Sequence, residues 1–157
     1  MKELSVDVKN ILGLQLPSDP RWVNLAELQL DEILTDHAYC EQKAATTCIS
    51  LITKNSEKEL LVEELPHERF LDQMLIMALI EARSCERFKR LSEGLDDAYM
   101  RNFYRRFMES EAGHYTLFIT LAEHYLEKKV VRRRWAEWLK YEKELMKEME
   151  VRGDRIH

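Results

Sequence analysis

Glu111-Ala112-Gly113-His114 decides how this sequence reads. Glu111 and His114 complete a stripe with Met100, Tyr104, Phe107, Phe118, Leu121 and Tyr125, at alternating intervals of four and three residues. Those intervals trace one face of an α-helix, so an acid and an imidazole stand in the middle of a face that should meet a core. An unpaired carboxylate there costs on the order of several kcal/mol. A bound cation removes that cost. Glu-x-x-His projecting inward is also the ligand pair that carboxylate-bridged dimetal sites take from a bundle helix. The plainer alternative is a buried Glu–His pair without metal.

Two other acids sit in similar company. Glu81 shares a heptad line with Met74 and Phe88 and lies one turn from Met77 and Cys85. Glu41 falls on the stripe Leu30, Leu34, His37 or Ala38, Ala45, Cys48 and Ile52, where Ala44 and Ala45 allow close approach of a neighbouring helix. Glu86 differs, because Arg83 and Arg90 flank it at i−3 and i+4. That pattern predicts a solvated ion-pair face worth only tenths of a kcal/mol. Glu109, beside Arg105 and Arg106, reads the same way. Glu41, Glu81, Glu111 and His114 are therefore the candidate metal ligands. Hard carboxylates with one imidazole favour iron or manganese; zinc would show more His or Cys, and calcium would draw oxygens from a loop.

Composition agrees with a helical protein. The 157 residues include four Gly and three Pro, with 45% hydrophobic and 34% charged residues, which predicts one all-helical domain over 1–157. The net charge of −5 excludes a generally basic nucleic-acid coat but leaves room for a local patch at Lys128, Lys129, Arg132, Arg133 and Arg134. Cys40, Cys48 and Cys85 form no CxxC pair and read as buried thiols of a reducing cytoplasm. No signal peptide is visible, and the longest apolar run, Met74 to Ile80, is too short to span a membrane.

In chain order, residues 1–19 read as an arm, and Asp19-Pro20 as a helix start anchored by Trp22. The next helix, bent near Gln29, runs to about Lys54 and stops at Asn55-Ser56. Glu57 to Glu64 is charged with helical propensity. A central buried helix starts at Pro66 and ends at Gly94. Asp96 or Asp97 caps the helix from Ala98 to about Leu126. A last helix, about Arg133 to Val151, turns Trp135, Trp138, Leu139, Leu145 and Met146 inward, so that 128–157 forms a basic corner followed by a helix.

Cys40-Glu41-Gln42-Lys43-Ala44-Ala45, Ile80-Glu81-Ala82-Arg83-Ser84-Cys85-Glu86-Arg87-Phe88 and Glu109-Ser110-Glu111-Ala112-Gly113-His114-Tyr115 closely resemble the MiaE family of tRNA hydroxylases. The likeness covers roughly residues 20–60 and 66–150. It implies a ferritin-like antiparallel helix bundle with two iron ions, using dioxygen to hydroxylate the isopentenyl group of a modified adenosine beside the tRNA anticodon. It also implies an unidentified electron donor. Position by position, Glu41, Glu81, Glu111 and His114 match family iron ligands. Arg132, Arg133 and Arg134 are expected to meet tRNA phosphates, with Arg83, Arg87 and Arg105 as further candidates.

The sequence departs from the family at one place, since the second bundle helix, with its own Glu-x-x-His, is missing. Glu64-Leu65-Pro66-His67 has the spacing but stands only 14 residues before Glu81, too few for two antiparallel helices to meet at one metal level. An unbroken chain is then expected to hold at most one iron tightly and to show no tRNA hydroxylation, whereas an intervening segment between Asn55 and Pro66 is expected to carry its own Glu-x-x-His and to bring the iron count to two. Two other readings follow from the same residues: a ferroxidase or peroxidase without an RNA substrate, and a metal-free helical binding module.

Overall fold

The computed structural model describes residues 13–55 and 67–156. Those residues form five helices and no strand: α1 (Trp22–Glu27), α2 (Leu30–Asn55), α3 (His67–Gly94), α4 (Ala98–Tyr125) and α5 (Lys128–Glu148). The all-α expectation holds, and the arrangement is that of a ferritin-like helical bundle. The expected helix over Glu57–Glu64 and the helix start at Pro66 lie outside the described residues.

The helix ends follow from local chemistry. Asp19 Oδ1 accepts from the Arg21 amide at 2.8 Å, and the Asp19 carbonyl accepts from the Trp22 amide at 3.0 Å, so Asp19 makes a turn ahead of the helix, which itself begins at Trp22 with Arg21, not Asp19, at its N-cap. The bend foreseen near Gln29 is a full break at Leu28–Gln29 between α1 and α2. Asp97 is the cap of α4, its Oδ1 accepting from the Met100 amide at 2.8 Å. Gly94 ends α3 without a left-handed backbone. Glycine is needed there for space, because a Cβ would come within 2.8 Å of Val23 Cγ1. The last helix begins at Lys128 rather than Arg133, so the basic corner is its first turns.

Three apolar clusters give the directions of the helices. Phe88 meets Phe103, Tyr104 and Phe107; Ala82 and Cys85 meet Met108 and Ala112; Leu71, Met74 and Leu75 meet Phe118 and Ala122. Numbers that rise on α3 while falling on α4 define an antiparallel hairpin. Val131 joins the last of these clusters and Leu139 the middle one, so α5 runs parallel to α3. Ile33 and Leu34 of α2 pack with Phe88 and Leu91 at the other end. Trp22 is almost wholly buried there, as an anchor of the turn should be. Along α5, Leu139 is buried and Trp135, Trp138 and Met146 are half-buried, whereas Leu145 faces solvent, against expectation.

A second correction is larger. Arg83, Glu86 and Arg90, read as a solvated face, are all buried, and so is Arg87. They form a clasp on the side of α3 opposite Glu81, Cys85 and Phe88. Glu86 accepts from Ser18 Oγ at 2.5 Å and pairs with both Arg83 and Arg90. Arg83 donates to Glu142 of α5 and to the Leu16 carbonyl. Arg87 donates to the carbonyls of Arg155 and Ile156. The i−3 and i+4 spacing correctly identified the partners of Glu86. It missed that residues 14–18, α5 and the 149–156 tail cover them. Arg83 and Arg87 are thus not free for RNA, whereas Arg105 is exposed.

Candidate metal centre

Glu81 from the middle of α3 faces Glu111 and His114 from the middle of α4, as the antiparallel register requires. One ligand atom from each of the three lies within 4.8 Å of the others. That is close to the span of opposite donors around one ion, about 4–4.5 Å for bonds of about 2.0–2.2 Å. His114 Nδ1 is 3.1 Å from Glu111 Oε2 and 3.8 Å from Glu81 Oε2. Both carboxylates are buried, while the imidazole is half-exposed at 50%. The centre therefore has a protein-lined inner side and a side open to solvent. Gly113, next to His114 in the chain, is exposed, and a Cβ placed on it would meet nothing within 4 Å among the described residues.

The electrostatics are those of an anion-rich pocket short of a cation. Burial, then the hydrogen bond and charge of Glu111, push the Glu81 carboxyl up to about 9, with His114 only partly offsetting this. Burial also raises Glu111, and Glu41 repels both. Both shifts favour keeping a proton on the pair when no cation is bound. A divalent cation would take that proton's place and satisfy all three donors.

The structure brings together three of the four predicted ligands. Glu41 is within electrostatic reach of Glu81 and Glu111 but outside their cluster. Its side chain is 51% exposed, and its Oε1 lies 3.2 Å from His37 Nε2. His37 is buried between Phe88 and Phe107, with ring centroids 4.7 and 4.6 Å away. The expected inward face of α2 turns outward at Glu41 and Ala45, both exposed, while the side chains of Cys48 and Ile52 lie outside the described ones. Glu64 lies outside the described residues. The donors fit one hard metal ion well, with Glu41 as a further carboxylate held nearby.

The predicted RNA contacts divide. Arg134 is engaged by Asp72 of α3, at 2.7 and 2.8 Å, and by Glu137. Arg132 lies 3.3 Å from Glu123. Arg133 is exposed and has no ion-pair partner among the described residues.

Comparison with known proteins fits this site. The family model described as tRNA-(MS[2]IO[6]A)-hydroxylase (MiaE) matches residues 5–67 and 61–157. The tRNA 2-(methylsulfanyl)-N(6)-isopentenyladenosine(37) hydroxylase of Pseudomonas putida is 31% identical over 156 residues, covering 71% of this chain and 76% of that protein. The protein of the same name from Salmonella typhimurium is 43% identical over 53 residues, which are 34% of this chain and 19% of that protein. Since 156 aligned positions take up only 71% of a 157-residue chain, about 45 of them lie opposite a gap in it. The two matched family segments overlap at 61–67, between α2 and α3. With both segments matched over nearly the whole chain, and with Glu81, Glu111 and His114 converging, this chain belongs to the MiaE family of tRNA hydroxylases.

Proposed function

We propose that this chain hydroxylates an isopentenyl-type modified adenosine of tRNA, using iron held by Glu81, Glu111 and His114. The observation that carries the reading is the convergence of two buried carboxylates and an imidazole, on the motifs matched by the family. Iron bound there would activate dioxygen for insertion of oxygen into a C–H bond. The chain's own residues set the conditions. Glu81 and Glu111 hold a proton in the metal-free state and release it as metal enters. Phe107 and Phe88 wall off the end nearest His37, which keeps water from that side. His37 holds the Glu41 carboxylate near the centre, as donor for a second ion of the two-iron arrangement typical of such bundles. The open side beside His114 and Gly113 is the route for an extruded side chain of the nucleoside. Arg132 and Arg133, on the exposed first turns of α5, would meet tRNA phosphates, with Arg134 behind them. A separate reductase or ferredoxin-type donor would supply electrons.

The test is incubation of the iron-loaded protein with isopentenylated tRNA, dioxygen and a reductant, followed by nucleoside mass analysis. A gain of one oxygen on the modified adenosine supports the reading. Iron binding with no such product would assign the chain instead to RNA-independent metal chemistry, as in a ferroxidase.

A further inference from the structure

The clasp contains more positive than negative charge. Arg83, Arg87 and Arg90 are buried with Glu86 and Glu142. Arg83 pairs with both acids and Arg90 with Glu86, whereas no carboxylate among the described residues lies within ion-pair distance of Arg87. Arg87 is only 8% exposed, lies 5.0 Å from the Trp22 ring, and makes its hydrogen bonds to neutral oxygens of Ser18, Arg155 and Ile156. Glu86, Glu142 and Asp36 act on its charge only from beyond ion-pair distance, and burial opposes it, so an anion in direct contact should be welcome beside it.

Arg87 also lines a cavity of about 700 Å³. That is the size of a small-molecule site, typically about 300–1,000 Å³. Its apolar wall comes from Leu16, Pro17, Met146 and Met149, and its rim carries Arg21, Lys147, Arg152 and Arg155 against Asp19 and Glu150. Each rim cation has an acidic neighbour: Asp19 for Arg21, Glu144 for Lys147, Asp154 for Arg152, and Asp36 for Arg155. The rim is therefore close to neutral, and Arg87, which has no ion-pair partner among the described residues, sits at its buried end. Guanidinium forks suit phosphate oxygens, and the apolar wall suits the flat face of a base.

We propose that this cavity binds a nucleotide through its phosphate, with Arg87 as the buried anchor and Arg21 and Arg152 at the mouth. It is separate from the metal centre, because Arg87 and Glu81 occupy opposite faces of α3, and the inference does not depend on metal or on hydroxylation. The phosphate could belong to a free nucleotide or to an RNA strand crossing this end of the bundle.

Calorimetric titration of the full chain with adenosine 5′-monophosphate, adenosine and inorganic phosphate tests the site, followed by competition with tRNA. The monophosphate should bind at one site per chain and adenosine at least tenfold more weakly. Arg21→Gln with Arg152→Gln, both at exposed positions, should weaken the monophosphate about tenfold while iron content and helical content stay unchanged. Arg87→Lys, which keeps the charge but loses the fork, should weaken it too at unchanged helical content. Displacement by tRNA identifies an RNA strand as the source, and its absence identifies a free nucleotide. The proposal is overturned if neither the monophosphate nor phosphate binds, or if binding is the same in all variants.

Discussion

Arg83 Nε on α3 donates to Glu142 Oε1 on α5 at 2.9 Å, joining residues 59 positions apart inside the protein. Both side chains are buried, and the same guanidinium also reaches Glu86 and the Leu16 carbonyl. Removing one partner of a buried pair leaves the other charge uncompensated, at a cost of about 3–5 kcal/mol. Glu142→Ala and Glu86→Ala should each lower unfolding free energy by that order in urea titrations. An Arg83→Met, Glu142→Leu double variant should recover much of the loss, since apolar replacements of buried pairs are often neutral. A loss below about 1 kcal/mol for Glu142→Ala would place the pair in solvent, where exposed pairs contribute that little.

Glu81 and Glu86 should behave in opposite ways. Glu81→Ala should abolish iron loading and leave the metal-free protein at least as stable, because it removes one of two crowded carboxyls. Glu86→Ala should retain iron in whatever fraction remains folded. Iron content together with melting of each variant checks this, and iron retained by Glu81→Ala would refute the assigned centre.

The centre also imposes a pH dependence. The Glu81 carboxyl lies well above its ordinary 4.5 in the fold, at about 9. Its contribution to the metal-free fold is complete below the ordinary value and is lost as pH rises toward 9, since the unfolded chain releases that proton first. Relative to Glu81→Gln, the metal-free wild type should therefore lose stability across this window. Metal affinity should rise over the same window, because the ion must displace the proton. Melting curves and metal titrations at matched pH values measure the two opposed slopes.

Gly113→Ala separates stability from access. Glycine inside a helix is about 0.5–1 kcal/mol less favourable than alanine, and the added methyl meets nothing. The variant should melt higher with iron content unchanged. If the nucleoside enters beside His114, its hydroxylation should slow. Gly153→Ala offers the contrast: its Cβ would fall 2.5 Å from the Leu25 backbone, so that variant should be destabilised.

Arg133 and Arg134 should part company in tRNA binding. Arg133→Glu should weaken binding and reduce the log–log salt slope by roughly one unit or somewhat more, with melting unchanged. Arg134→Glu should lower the melting temperature, because it breaks the two contacts to Asp72, which also accepts from Trp138 Nε1 at 2.9 Å. Filter binding across a salt series, with melting of the same samples, distinguishes the two.

The helix α4 was legible almost to the residue, because its stripe, its Asp97 cap and its low-propensity ends all agree. Glu81, Glu111 and His114 were legible for the same reason, each being the polar exception on a regular apolar face. The clasp was not. A row of charges at i, i+3 and i+4 looks alike whether water or protein covers it, and its cover comes from Ser18, Glu142 and Ile156, far away in sequence. The outward turn of Glu41 was equally hidden. Periodicity gives the phase of a helix but not whether a neighbour stands opposite, and at Glu41 and Ala45 the face of α2 is exposed.

Ile156 donates its amide to Asp36, 120 residues earlier, and is wholly buried with Trp22 and Phe88. During synthesis the ribosome delivers Trp22, Phe88 and Tyr104 long before Ile156. Until then their shared cluster has an open end. The α3–α4 hairpin can form early from near neighbours, but sealing of the core must wait until residue 156 has emerged, because it closes a loop far longer than any within the hairpin. Nascent chains stalled before residue 156 should therefore remain sensitive to protease at α1 even when α3 and α4 are already protected.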